Sequence, residues 1–180
     1  MSEFSVSSRY ASALMQLAEE KNSVDAVSSD MDLVFQTLSS SKELKSVLKS
    51  PIIKEQQKLD ILSDIFSEKV SSVSFNFIKF IVDKNREDIL HSIVRSYIKL
   101  RDQKMGLINV EVTSAVEFSD EQVQKLKAKI EEITGKTARL SFKINESVIG
   151  GFVVKVDDTI FDASVKRQLE LLKNKFLTEN

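Results

Sequence analysis

The sequence predicts an α+β protein, with an N-terminal six-helix bundle followed by a small C-terminal α/β sandwich-like domain. Up to about residue 105, apolar residues recur every three or four positions, which is the spacing of amphipathic helices. From Gly106 onward they alternate with polar residues, which is typical of half-buried strands. We therefore expect two domains, residues 1–105 and residues 106–180, that meet at this change of period.

The N-terminal half is expected to contain six helices joined by short connections, which favour antiparallel neighbours. The third helix should end near Ser50, because Pro51 disfavours the helical conformation in the residue before it. We interpret Asn85 as the N-cap of the sixth helix. Four of the expected helices cover about residues 4–21, 24–39, 54–67 and 70–84. The short third helix lies around Leu44, Val47 and Leu48, and the sixth, opened by Asn85, uses Leu90, Ile93, Val94, Tyr97 and Ile98.

The C-terminal half is expected to combine a sheet with two helices. Ser119 and Gln122 form a capping box that opens a helix through Thr134, and Gly135 ends that helix. A last helix, about residues 163–177, carries an apolar stripe that could cover one face of the sheet. That stripe consists of Val165, Leu169, Leu172 and Phe176. Strands are expected over about residues 108–114, 140–144, 152–156 and 159–161, with a turn at Asp157-Asp158.

The composition excludes several classes of functional site. The 26 Lys and Arg residues against 27 Asp and Glu give a formal net charge of -1, which argues against a nucleic-acid binder with a large basic excess. The absence of cysteine excludes disulfides and thiolate metal sites, and the single histidine cannot form a ligand pair. No apolar run approaches the roughly 20 residues that a membrane-spanning helix needs.

Four features of the sequence are candidates for sites of chemistry, and each has a simpler structural interpretation. We interpret His91 as a structural or surface residue and Asp157-Asp158 as a tight turn. Gly150-Gly151 lacks the phosphate-loop pattern, so we expect it to serve a positive φ or a close backbone approach. Ser164 has no histidine within reach and is interpreted as part of a helix start. The sequence thus predicts no catalytic, cofactor-binding or metal-binding residue.

The fifth helix carries more apolar surface than one packing face needs. At about 100° per residue, Phe80, Phe77, Ile81, Ile78 and Val82 contribute to an apolar arc of roughly 220°, wider than the stripe of a surface helix. Either this helix lies at the centre of the bundle, or it buries one side and offers the other to a partner helix.

The first helix has a similar excess of apolar surface. Its apolar sector includes Ala11, Ala13 and Ala18, whose small side chains allow another helix to approach closely. A groove between the first and fifth helices would accept an amphipathic segment through anchors spaced by three, four and seven residues. We interpret the two helices as a candidate docking surface.

Several segments, in order along nearly the whole chain, together match the pattern of one protein family. They are Arg9-Tyr10-Ala11-x-Ala13-Leu14-x-x-Leu17-Ala18, Leu48-x-x-Pro51 with Lys58 beyond it, Asn85-Arg86, Ser147-Val148-Ile149-Gly150-Gly151 and Ile160-Phe161-Asp162-Ala163-Ser164-Val165. With these segments the chain resembles the delta subunit of F-type ATP synthases, whose mitochondrial relative is the oligomycin-sensitivity-conferring protein. It departs from the family where Asn145 replaces a common Asp and Ala163 a frequent Gly.

The resemblance implies a non-catalytic stator subunit without cofactors. In such a subunit, residues 1–105 bind the N-terminal helix of an alpha subunit in the catalytic head, and residues 106–180 bind the C-terminal segments of the peripheral-stalk b subunits. The head is thereby kept from rotating during proton-driven ATP synthesis. By position, the resemblance implies that the alpha-subunit helix contacts Val6, Tyr10, Ala13, Leu17, Phe77, Phe80 and Lys84.

The resemblance and the absence of a recognisable leader favour a bacterial protein at the cytoplasmic face of the inner membrane. There it would be held through its partners and not by a transmembrane segment. The residues alone leave two alternatives open: a free-standing helical adaptor that binds another amphipathic segment, and a small-molecule enzyme with a polar site at the domain junction.

Overall fold

The computed structural model describes residues 3–156 and 159–178. Within these ranges the chain has an α+β fold with eight α-helices and one four-stranded mixed sheet, which confirms the predicted class. The chain divides into two compact units, Met1–Asp102 and Gln103–Asn180. The expected turn at Asp157-Asp158 lies outside the described residues.

Helices account for the first unit, and serine caps define where two of them begin. The Ser41 hydroxyl accepts the Leu44 N–H at 3.0 Å, and the Ser71 hydroxyl accepts the Ser74 N–H at 3.4 Å. Each cap satisfies a backbone donor that the first helical turn leaves without a partner. The helices are α1 (Glu3–Glu20), α2 (Val24–Ser40), α3 (Lys42–Lys49), α4 (Glu55–Phe66), α5 (Ser72–Asp83) and α6 (Leu90–Lys104).

Asn85 ends α5 and is not the N-cap of α6, so that part of the sequence interpretation was wrong. Its φ is +54°, its N–H donates to Val82 O at 2.8 Å, and the Arg86 N–H donates to Ile81 O at 3.0 Å. This double hydrogen bond is a Schellman motif, in which asparagine tolerates the left-handed position better than most residues. A 3₁₀ turn, Glu87–Ile89, then leads into α6.

The core of the first unit is apolar, with charged groups buried among its helices. Lys58 Nζ lies 2.7 Å from Glu87 Oε1 and also donates to Leu48 O at 3.0 Å. The pair therefore ties α4 to the end of α3 and to the 3₁₀ turn. The largest fully buried side chains are Tyr97, Phe66, Leu14, Met15, Met31, Leu38, Leu62, Ile78, Ile81, Leu90, Ile93 and Val27.

The second unit has a mixed sheet with strand order β2-β1-β3-β4. Strands β1 (Leu107–Ser114) and β2 (Thr137–Ile144) are parallel, and α7 (Asp120–Thr134) connects them. Strands β3 (Phe152–Val156) and β4 (Thr159–Asp162) extend the sheet with antiparallel pairing. The predicted limits of α7 are confirmed by the capping box of Ser119 and by Gly135, whose φ is +65°.

One face of this sheet is apolar, and the other is mostly polar but also carries Val153 and Ile160. Val110 and Val112 in β1 are buried, and Ile130 of α7 belongs to the same core cluster. Glu111 lies between Val110 and Val112, so its side chain points to the opposite face. There its Oε2 lies 3.0 Å from Lys143 Nζ. Because α7 packs on the apolar face, the second unit has a single small core.

The last helix, α8 (Val165–Thr178), does not bury the apolar stripe that was expected to cover the sheet. Val165, Leu169 and Leu172 are 38%, 55% and 51% exposed. The side chain of Phe176, the fourth member of that stripe, lies outside the described side chains. The sequence interpretation was wrong here because helical periodicity identifies an apolar face without identifying what covers it.

Candidate functional site

Helix α1 divides its apolar residues between the core and the surface. Ala11, Leu14, Met15 and Ala18 are buried. On the flank of the helix, Val6, Tyr10 and Leu17 are half-buried and Ala13 is exposed. This flank follows the spacing of four, three and four residues that keeps side chains on one side of a helix. Helix α1 therefore offers a continuous, partly apolar stripe to solvent.

In helix α5, Phe77 and Phe80 differ in the same way. Phe77 is only 6% exposed and belongs to the core cluster, whereas Phe80 is 45% exposed. Phe77 therefore offers little surface to a partner, and Phe80 offers much of its ring. The apolar arc of α5 is thus mostly buried by its own unit, with Phe80 as the part that is left uncovered.

The flanks of α1 and α5 meet through aromatic side chains. The rings of Tyr10 and Phe80 are 6.3 Å apart between centroids, with planes inclined at 62°. Lys84 Nζ lies 5.5 Å from the Phe80 ring centroid, within the range of a cation–π interaction. These contacts bring six of the seven expected residues onto one surface, which we call the α1/α5 surface. It consists of Val6, Tyr10, Ala13, Leu17, Phe80 and Lys84.

The sequence pattern did not indicate Phe4, which is 73% exposed two residues before Val6 and lies on the opposite side of α1 from the stripe. Together with Arg9 and Ala13 it lines a shallow depression along α1. Ser8 and Arg9 follow Phe4 at four and five positions, so this side of α1 is largely polar. Helical periodicity therefore did not indicate Phe4 as part of an apolar stripe. Phe4 is a further candidate contact at the amino-terminal end of the same helix.

The arrangement of the α1/α5 surface suits binding and not bond-breaking chemistry. It has partly exposed aromatic and aliphatic groups, one lysine and the small side chain of Ala13. Aromatic groups that keep part of their area exposed are typical anchors of helix-in-groove contacts. Among the residues that the structure describes, no group of three or more His, Cys, Asp and Glu side chains could hold a metal ion.

His91 has a structural environment. Its ring stacks on Phe35 at 5.1 Å between centroids, and its Nε2 lies 3.2 Å from the Ser39 hydroxyl. Burial lowers the pKa of His91 from its usual 6.5, and the positive charges of Lys45, Arg95 and Lys49 lower it further. The neutral ring is therefore favoured where α6 meets the end of α2.

The remaining polar candidates are also structural. The Ser164 hydroxyl accepts the Arg167 N–H at 3.1 Å, which confirms its role at a helix start. Gly151 has a φ of +73°, and a Cβ placed there would lie 2.4 Å from Ala163 O. The expected close backbone approach at Gly150-Gly151 is therefore confirmed, and it occurs where β3 meets the start of α8.

Large apolar side chains are exposed far more often in the second unit than in the first. Of the described residues, four such side chains belong to the first unit and twelve to the second. The twelve are Met105, Val116, Ile133, Phe142, Ile144, Ile149, Ile160, Phe161, Val165, Leu169, Leu171 and Leu172.

None of the described helices has the length and hydropathy of a membrane span.

Comparisons with known proteins find relatives that match nearly the whole chain. Proteins called ATP synthase subunit delta from Chlorobium phaeovibrioides and Chlorobium phaeobacteroides are each 41% identical to the chain, the first over 98% of both chains and the second over 99%. A chain in the cryo-EM structure of the Toxoplasma gondii mitochondrial ATP synthase hexamer superposes with a TM-score of 0.74 at 25% identity. That match covers 95% of this chain and 97% of the other.

The family model described as ATP synthase delta (OSCP) subunit matches residues 6–176. This range includes the flank of α1, all of α5 and nearly all of the second unit. The chain belongs to the ATP synthase delta (OSCP) subunit family.

Proposed function

We propose that the chain joins the catalytic head of a bacterial F-type ATP synthase to its peripheral stalk through two separate surfaces. Residues 1–105, as a six-helix bundle, bind the N-terminal helix of an alpha subunit on the α1/α5 surface. Residues 106–180 bind the C-terminal segments of the b subunits. The chain works at the cytoplasmic face of the inner membrane, where these partners hold it.

The chain is a structural subunit of ATP synthase and not its catalyst. A rotary enzyme produces net work only if its head is held still while the rotor turns. A connector that resists torque must bind both the head and the stalk, and each of these contacts must dissociate slowly. Helix-in-groove contacts with buried aromatic anchors have this property, because interface quality acts mainly on the dissociation rate.

The observation that carries the proposal is the exposed Phe80 ring in contact with Tyr10. Phe80 is 45% exposed although the neighbouring positions Phe77 and Ile81 are 6% and 0% exposed. Covering this ring and the half-buried side chains of α1 would be favourable at about 25 cal/mol per Å² of apolar area. Lys84 at the end of α5 adds a positive charge that can pair with an acidic group of the partner.

The proposal is tested by titrating the full chain with a peptide that contains the N-terminal helix of an alpha subunit from a close relative. We expect saturable 1:1 binding with a negative heat-capacity change, because apolar area is buried. A peptide of the same composition in scrambled order serves as the control, since its apolar residues no longer lie on one face. Equal binding of both peptides, or no saturation with the native one, would count against the proposal.

A further inference from the structure

Ile149 has an unusual backbone conformation for its residue type. Its φ is +65° and its ψ is -46°, and the Gly150 N–H donates to Val148 O at 2.7 Å. These values describe the rare type of γ-turn, which is strained even for residues without a branched Cβ. A β-branched residue with positive φ is an outlier, and glycine would adopt the same turn at a lower energy.

The fold of the second unit accounts for the turn but not for the isoleucine. The turn brings Gly151 against Ala163 O, and the Val165 N–H donates to Gly150 O at 2.9 Å. The Ile149 side chain itself is 66% exposed and is not a member of the core cluster of this unit. A strained backbone that presents an apolar side chain to solvent is explained if that side chain makes a contact outside the unit.

The turn at Ile149 adjoins the apolar stripe of α8 through the next residue, Gly150. A Cβ on Gly150 would lie 3.2 Å from Val165 Cγ2, so the turn and the first residue of α8 are in contact. Leu169 and Leu172 follow Val165 at four and seven positions, which places all three on one side of the helix. We call Ile149, Val165, Leu169 and Leu172 the Ile149–α8 surface.

The charges beside this surface indicate the kind of partner. Lys166, Arg167 and Lys173 are exposed on α8, against a single described acidic residue, Glu170. Arg167 and Glu170 are 3.9 Å apart, a distance at which the ion pair leaves both groups open to other charges. A matching partner has an apolar stripe flanked by acidic side chains.

We propose, resting on the function proposed above, that Ile149 is an anchor residue that docks an acidic amphipathic helix of a stalk subunit. The helix lies along the Ile149–α8 surface, with its apolar stripe on Ile149, Val165 and Leu169. Its acidic side chains face Lys166 and Lys173, which lie on the same flank of the α8 stripe. The strained turn serves to hold the isoleucine side chain outside the unit's own core.

The test compares Ile149→Gly with wild type in the full chain. The probe is a purified soluble fragment of a b subunit that ends at its natural C terminus. We expect Ile149→Gly to weaken binding by about tenfold or more, the size typical of an anchor residue. Its thermal midpoint should be equal to or higher than that of wild type, because glycine relieves the strain. If Ile149 were purely structural, Ile149→Gly would lower both the affinity for the b fragment and the thermal midpoint.

Ile52→Gly is the matched control, because Ile52 is 89% exposed in the first unit and is not among the residues with positive φ. It should leave binding of the b fragment unchanged. Lys173→Glu should weaken binding, and the loss should shrink as salt is added.

Each contrary result has a distinct meaning. Unchanged binding by Ile149→Gly, while wild type binds, overturns the anchor role and leaves the proposed function standing. A lower thermal midpoint also overturns it, because Ile149 would then stabilise the unit itself. Failure of wild type to bind the fragment overturns both proposals. Self-association that Ile149→Gly abolishes, without any change in b binding, would assign the surface to a second copy of the chain.

Discussion

The Tyr10 ring of α1 meets the Phe80 ring of α5 edge to face, with centroids 6.3 Å apart. The two helices are thereby linked by side chains that both keep part of their area exposed. Phe77, one turn earlier in α5, is buried in the core. Two phenylalanines three residues apart thus have different surroundings, which separates a stabilising position from a binding position.

We expect Phe80→Asp to abolish binding of the alpha-subunit helix and to keep most of the helical content. The exposed position allows the carboxylate to stay hydrated in the free protein, whereas docking of an apolar partner helix would remove that water from it. Phe77→Ala should lower the free energy of unfolding by about 3–5 kcal/mol, as large-to-small changes in cores do. Urea unfolding followed by circular dichroism and titration calorimetry measure the two effects. Unfolding of Phe80→Asp would mean that this ring is a core group.

Helical periodicity could predict that α1 and α5 carry surplus apolar surface, but not which phenylalanine is exposed. Phe77 and Phe80 both fall within the apolar arc of the helical wheel, about 60° apart at 100° per residue. Their burial depends on how α5 packs against α2 and α4, and the pattern of α5 alone does not show that packing. The family resemblance named both residues, and only the tertiary structure distinguishes them.

Local signals predicted helix ends where one side chain decides the geometry. Ser119 and Gly135 limit α7 as expected, because a cap and a left-handed glycine act within one turn. Asn85 was misassigned because asparagine suits both an N-cap and a left-handed C-terminal position, and composition does not choose between them. The packing of α8 could not be predicted at all, since an apolar stripe fits a sheet and a partner equally well.

We expect the ion pair between Lys58 and Glu87 to act as a unit. Lys58→Met leaves the Glu87 carboxylate buried without its cation, and such a change typically costs about 3–5 kcal/mol. The double variant Lys58→Met/Glu87→Leu should recover much of this loss, because no charge is then buried. Chemical denaturation of the two single variants and the double variant gives the coupling free energy. Additive losses would show that the two residues stabilise the fold independently.

Two glycines of the second unit should respond differently to alanine. Gly106 has a φ of +64° and open space around its Cβ position, so Gly106→Ala should lower the free energy of unfolding by about 1–2 kcal/mol. Gly151→Ala adds a clash, because its Cβ would lie 2.4 Å from Ala163 O. We expect a larger loss for Gly151→Ala, measured by thermal unfolding. Equal losses would mean that the close approach of Gly151 to Ala163 relaxes without a cost in free energy.

The stability of the first unit should fall on acidification partly because of His91. Its pKa is lowered in the folded state, chiefly by burial and then by Lys45, Arg95 and Lys49. The unfolded chain therefore binds the proton more readily, so this contribution is complete above the usual pKa of about 6.5 and is lost as the pH falls through the lowered value.

His91→Gln keeps a polar side chain beside Ser39 but does not titrate, so it should reduce the dependence of unfolding free energy on pH between roughly 7.5 and 5.5. The effect should be modest, because the ring is half-buried and solvent screens the neighbouring charges. Urea unfolding at several pH values measures it, with Ser39→Ala as a control that removes the hydrogen bond and keeps the imidazole. A steeper fall for His91→Gln than for wild type would mean that protonation of His91 stabilises the fold, opposite to the effect of burial and of the three cations.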